Sequence, residues 1–230
     1  MAHNSSMKSR LTPRLVLAVL LVLAIGIVAG IQFNRSSSTP EATTNTAPQP
    51  ADALWPFASS STRFTSPTTA ASSFAIDYMG FTKPIVGGSR QVDGGTSAVA
   101  IRASSRGSIT TVLVRQLTSS RSWWVTGATS SDIVVTTPKP MQEVSSPTQL
   151  RGRSTAYEAV VDVEIRQDGS LKPLSRATVM GGSMGVMGPF AKSITFAHPS
   201  KGGGAIVFQD LSAKDGSVVV ASVVRVLFRP

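Results

Sequence analysis

The chain has no cysteine. That excludes disulfides, thiol catalysis, thiolate metal sites and the lipid-bearing cysteine of a lipoprotein. Histidine is nearly absent too: only His3 and His198 occur, and His198 sits beside Pro199 with no serine and carboxylate neighbours arranged as a Ser-His-Asp set. With one usable histidine and no DxDxDG run, no metal site is visible in the sequence, and no catalytic, metal or cofactor-binding residue is assigned. The glycine-rich stretches GGSMGVMG and KGGG are not phosphate cradles: the first is not G-x-G-x-x-G and opens no helix, and the second has its lysine on the wrong side. Acidic residues are scarce, 12 Asp and Glu against 22 Lys and Arg, for a formal charge of +10.

What the chain does have is one long uncharged run, Leu15 to Phe33 (LVLAVLLVLAIGIVAGIQF), 19 residues. At about 1.5 Å per residue it would measure roughly 28 Å, close to the hydrocarbon thickness of a bilayer. No polar stripe exists to face water, so a buried core helix is a poor reading. The run is longer than the apolar region of a cleaved signal, and no A-x-A cleavage site follows. We read it as an uncleaved transmembrane signal-anchor over 15–33. Lys8, Arg10 and Arg14 precede it without an acid. Positive-inside then leaves residues 1–14 as a cytoplasmic head and the bulk of the chain extracytoplasmic. Three of the positive charges belong to that head and all 12 acids to the exported part, which keeps 19 basic residues and a net +7. Such a surface suits anionic envelope polymers or lipid headgroups, or serves solubility alone. Nucleic acid does not fit the compartment.

Residues 34–65 are dominated by Ser, Thr, Pro and Ala and read as a disordered tether. Leu54-Trp55-Pro56-Phe57 is more apolar than a tether needs; docking on the folded part or the membrane surface is the alternative to a stray patch in the linker, and the stray patch is the reading taken. Next, SPTTAASSFAIDYMGF marks a helix at both ends: Ser66 as N-cap, Pro67 at the first position, and Gly80 as the left-handed stop. Ala71, Phe74, Ala75, Tyr78 and Met79 form its apolar stripe. The period then drops to two over 98–103, 109–116 and 122–126, with Asp93-Gly94 and Arg106-Gly107 as turns. One helix and three or four strands make a small α+β unit over 66–130, whose size calls for packing on the C-terminal strands. Lys83 and five arginines in this unit face only Asp77 and Asp93. Arg90, Arg102, Arg106, Arg115 and Arg121 are the candidate contacts to an anionic partner, with Arg102 and Arg115 on solvent faces of strands. In Trp123-Trp124, alternation sends one indole inward and one outward; the outward one is an exposed aromatic contact or an interdomain packing residue, and packing is the reading taken.

From 131 to 230 the chain is all strands and turns. Ala159, Val161, Val163 and Ile165 point one way, and Glu158, Asp162, Glu164 and Arg166 the other, toward solvent. Asp168-Gly169 turns this strand into 171–180. Ile194 with Phe196, then Ile206 with Phe208, mark further faces. After Asp215-Gly216, residues Val218, Val220, Val224, Val226 and Phe228 share one more. Seven short strands with regular turns make a β-sandwich. Here the chain resembles the immunoglobulin-like domain family named from bacterial spore germination proteins. The resemblance rests on a Pro-rich approach, SSPTQLRG into a strand, YEAVV, GPF opening a later strand, and the SAKDGS turn, and it covers Asp132 to about Arg229. Met187, before Gly188-Pro189-Phe190, stands where the family pattern has an aromatic. The resemblance implies a cell-surface module without established catalytic residues. The overall expectation is a mostly β chain: a C-terminal immunoglobulin-like sandwich, a small α+β unit before it, and an N-terminal transmembrane helix. Its expected function is non-catalytic binding or scaffolding in the cell envelope, with an anionic polymer or another envelope protein as partner. The competing reading is an envelope-polymer hydrolase using Asp162 and Glu164 or residues of the 66–130 unit.

Overall fold

The computed structural model describes residues 51–117 and 120–229. The expected cytoplasmic head (1–14), the expected anchor (15–33) and residues 34–50 of the expected tether lie outside the described residues. No helix among the described residues is long and apolar enough to cross a membrane.

Helix α1 (Pro67–Ser73) starts as its sequence dictates, with the Ser66 hydroxyl accepting the Thr69 N–H at 3.2 Å. It runs into a π-helical turn over Phe74–Tyr78 and stops at Gly80, whose φ of +83° is open to glycine without strain. Ala71, Phe74, Ala75, Tyr78 and Met79 are all buried, which is the expected stripe, and Ala70 is buried with them.

Four antiparallel strands follow, β1 (Ile85–Gln91), β2 (Thr96–Arg102), β3 (Thr110–Gln116) and β4 (Trp123–Ser130). Strand β1 escapes the alternation rule because Gly87-Gly88 interrupts it at a register shift between Val86 and Ser89. The C-terminal part adds β5 (Ile133–Thr137), β6 (Gln142–Val144), β7 (Thr148–Ala156), β8 (Val160–Gln167), β9 (Pro173–Met180), β10 (Gly182–Ser183), β11 (Gly188–Ile194), β12 (Gly203–Leu211) and β13 (Val218–Phe228). One large sheet runs β1-β2-β3-β4-β13-β12-β8-β9, with β6 also paired to β13; a small sheet holds β7 between β11 and β5, with β10 at its end. The strands of the 66–130 segment therefore continue the sheet of the 131–230 segment.

Two cores lie on opposite faces of the large sheet. On one side α1 covers β2, β3, β4, β12 and β13 through Val99, Ile101, Val112, Val114, Val125, Val207 and Val223. On the other, the small sheet covers only the β13-β12-β8-β9 half, with Leu150, Phe190, Val161, Val163, Ile165, Ile206, Phe208 and Val226 between them. This sheet-on-sheet half is the expected immunoglobulin-like sandwich. One face assignment changes. Val218 belongs to the helix-side core, while Val220, Val224 and Val226 belong to the sandwich core. Leu211 pairs with Val218 but Asp210 with Val220, so β13 carries one extra residue there and its alternation reverses.

The large sheet forks in the middle. Strands β4 and β13 pair only at Val223 and Ala128, where Gly127 permits the approach: a Cβ there would lie 3.0 Å from the Val223 carbonyl oxygen. Beside the fork the buried Thr110 hydroxyl accepts the Ala221 N–H at 2.9 Å and donates to the Ala221 carbonyl at 3.3 Å, satisfying backbone groups that no strand reaches. Below the fork, β6 takes the edge of β13.

The edge of β4 is taken by residues expected to be tether. Val125 N donates to the Trp55 carbonyl at 2.8 Å, Leu54 N to the Val125 carbonyl at 2.7 Å, and Trp123 N to the Phe64 carbonyl at 2.9 Å. Ala53 and Leu54 are buried, and Trp55, Phe57 and Phe64 pack on the helix-side core. Residues 51–65 are thus a packed strap, not disordered tether, and Leu54-Trp55-Pro56-Phe57 is its anchor. The apolar groups find a place because the fork leaves the β4 edge and the flank of Tyr78 uncovered.

Candidate functional site

The fork has a consequence for the β1–β4 half. The small sheet stops short of it, so the face opposite α1 is left without a second layer. Register fixes which side chains stand there, since residues directly opposite in an antiparallel pair share a face. Arg90 pairs with Ala98, Ala98 with Leu113, and Arg115 with both Thr96 and Trp124. Arg102 follows Ala98 and Ala100 on the same side of β2 by strand alternation. Three of the five predicted arginines, Arg90, Arg102 and Arg115, are therefore brought together on one face above Ala98, Ala100 and Leu113. Arg106 and Arg121 are exposed in the β2–β3 and β3–β4 turns, at opposite ends of that face.

A further arginine was hidden in the supposed tether. Arg63 of the strap lies over the Trp124 ring, 5.2 Å from its centroid. Trp124 is fully buried rather than an exposed platform. Trp123 points the other way and packs, half-buried, on the helix-side core. The pair is a packing feature, and the signal that would have placed Arg63 was the apolar cluster 54–57 a few residues before it.

Asp93 of the β1–β2 turn accepts the Thr96 N–H beside Arg115, and one acid forms an ion pair on this face. Asp52 of the strap pairs with Arg115 at 2.6 Å, with both side chains open to solvent. Screening there leaves the pair worth at most about 1 kcal/mol. Arg102 leans toward the Gly107 carbonyl at 3.4 Å. At the inner margin, where β4 meets β5, the fork opens a cleft of about 290 Å³. Its walls are mostly apolar, with Leu113, Val134, Pro138 and Met141 among them and Asp52 at its lip.

The carboxylates Asp162 and Glu164 were expected on a solvated strand face. That face of β8 is instead covered by the end of α1. Arg166 is 8% exposed and donates to Glu164 Oε2 from Nε at 2.7 Å and from Nη2 at 2.5 Å. Its third nitrogen donates to the Tyr78 carbonyl at 2.6 Å. Arg176 Nε donates to Glu164 Oε1 at 2.8 Å, so both Glu164 oxygens are engaged. Burial, then the neighbouring Glu164 charge, holds the Asp162 carboxyl above its ordinary range. Asp210 is raised in the same way by burial, partly offset by a hydrogen bond from the Tyr157 backbone. Burial also pushes the Tyr78 phenol upward, against the pull of Arg166. Among the described residues no cluster of three His, Asp or Glu could hold a metal ion. His198 is exposed in the segment after β11.

The two-sheet sandwich has the layout of an immunoglobulin-like domain, and its large sheet is continued by the arginine-bearing strands β1–β4, which α1 covers on one face only. The comparison with known families agrees with this for the sandwich: residues 132–217 match the family described as the immunoglobulin-like domain of bacterial spore germination. No curated protein and no solved structure matches the chain.

Proposed function

We propose that the chain is a membrane-anchored, extracytoplasmic binding or scaffolding protein of the bacterial envelope, non-catalytic, which presents the β1–β4 face to an anionic partner. The observation that carries this reading is the one-sidedness of the charge. Arg63, Arg90, Arg102 and Arg115 stand on one face, with Asp52 the one acid that pairs there. The α1 layer on the opposite side, Ser66 to Phe81, contains no Lys or Arg and one Asp. The uncharged run at 15–33 with its basic flank supports the anchor and its orientation.

Two measurements test the two halves of the proposal. Protease added to intact spheroplasts is expected to remove the domain; a shortened, soluble protein in the medium sinks the anchor. For binding, retention on isolated cell walls or anionic vesicles should fall steeply with salt, because the attraction is between separated charges. Arg90→Glu together with Arg102→Glu should abolish it at a stability cost within about 0.5 kcal/mol per site. Retention that ignores both salt and the double reversal would reduce the arginines to a solubility feature.

A further inference from the structure

We infer that the anionic surface met by the β1–β4 face is the headgroup layer of the protein's own membrane. This rests on the anchored reading above and names its partner.

The chain enters the domain at the fork between β4 and β13. The Ala51 carbonyl is held by Arg225 at 3.1 Å, and the next residue, Asp52, is the one paired to Arg115 on that face. Arg225 stands with Ala205 on the α1 side while Asp52 turns to the basic face, so the connection to the anchor leaves from the fork, at the margin of the basic face. Between Phe33 and Ala51 lie 17 residues. Even fully extended, such a stretch reaches only about 60 Å, so the domain never leaves the neighbourhood of the leaflet.

The positive charge is spread out rather than gathered at one point. Adjacent strands lie about 4.8 Å apart. Arg90 and Arg115, two strands apart and offset by two residues, are thus separated by roughly 12 Å. Arg106 and Arg121 extend the array to both ends of the strands, and the fork cleft lies at its inner margin rather than among the guanidinium groups. Charges spread over the face of a sheet do not converge on one ligand group. They fit an array of phosphates lying in a plane, which is what an anionic leaflet presents. On the opposite side the α1 segment, Ser66 to Phe81, has no basic residue and an exposed Asp77, and Arg176 farther along that side is paired with Glu164, so the charge also sets which side faces down.

The absence of cysteine makes the test direct. The full chain is reconstituted in nanodiscs of phosphatidylcholine alone or mixed with phosphatidylglycerol. A fluorophore is placed at Ser105→Cys, Ser120→Cys or Ile76→Cys, and spin-labelled lipid serves as quencher. Ser105 and Ser120 lie in turns at opposite ends of the face, whereas Ile76 is exposed on the α1 side. Both turn positions should be quenched in the phosphatidylglycerol discs and released at about 1 M salt, where the Debye length is about 3 Å. Arg90→Gln and Arg102→Gln should each lower the face-down population about fivefold. Quenching independent of phosphatidylglycerol overturns the inference, as does quenching at Ile76 equal to that at the turns or at one turn only. If the discs show nothing while isolated cell walls still retain the protein in a salt-sensitive way, the lipid partner is wrong and the binding function stands. If neither surface retains it, both fall.

Discussion

Replacing Arg166 by Met is expected to cost about 3–5 kcal/mol of stability, read as a fall in the urea midpoint at unchanged slope. The side chain is 8% exposed and serves three groups at once. It holds the Glu164 carboxylate, it caps the Tyr78 carbonyl, and its guanidinium lies 5.0 Å from the Tyr78 ring centroid. The last carbonyls of a helix have no intrahelical donor, and here the π-turn ends under the sheet, where water is scarce. Gln209 does the same for the Met79 carbonyl. Methionine fills the volume but donates nothing. The Tyr78 carbonyl is then buried without a partner, and Glu164 keeps only the exposed Arg176. An unmet buried acceptor and a half-compensated buried charge both carry the full desolvation cost. Arg176→Met is the control: that side chain is largely exposed and its loss should stay within about 0.5 kcal/mol. A midpoint for Arg166→Met that matches the control would show that the guanidinium does not hold the helix to the sheet.

Leu54→Ala should be nearly as damaging, about 2–5 kcal/mol, because a buried leucine is truncated inside the helix-side core. The effect has a local signature. In the wild type the amides of Leu54, Trp123 and Val125 are hydrogen-bonded across the strap and the β4 edge, and they should exchange slowly with deuterium. In the variant they should exchange quickly, while the β12–β13 amides stay protected. Trp55 is a second hold on the same strap: its indole N–H donates to the Ser73 hydroxyl at 3.0 Å and its ring meets Phe57 edge-on at 4.9 Å. Rapid exchange at Val125 in the wild type would mean that the strap is not a stable part of the sheet.

Local chain chemistry determined a good deal of this protein before any contact between distant residues was known. The Ser66 cap, the 71–79 stripe and the Gly80 stop specify a helix because each acts within a turn or two of its own position. The Asp168-Gly169 turn and the alternation from Val161 to Ile165 specify a hairpin strand for the same reason. The grouping of Arg90, Arg102 and Arg115 was partly legible, since alternation alone puts Arg102 and Arg115 on the faces opposite Ile101 and Val114. What covers each face was not legible, because covering is done by residues far away in the chain. Glu164 and Arg166 alternate as a solvated face would, yet Tyr78, almost ninety residues earlier, closes over them. Residues 51–65 have a tether's composition, and only the fork between β4 and β13 gives Leu54 and Trp55 an edge to pair with and a core to enter. Period is a property of the strand itself, whereas burial is a property of whatever arrives to lie against it.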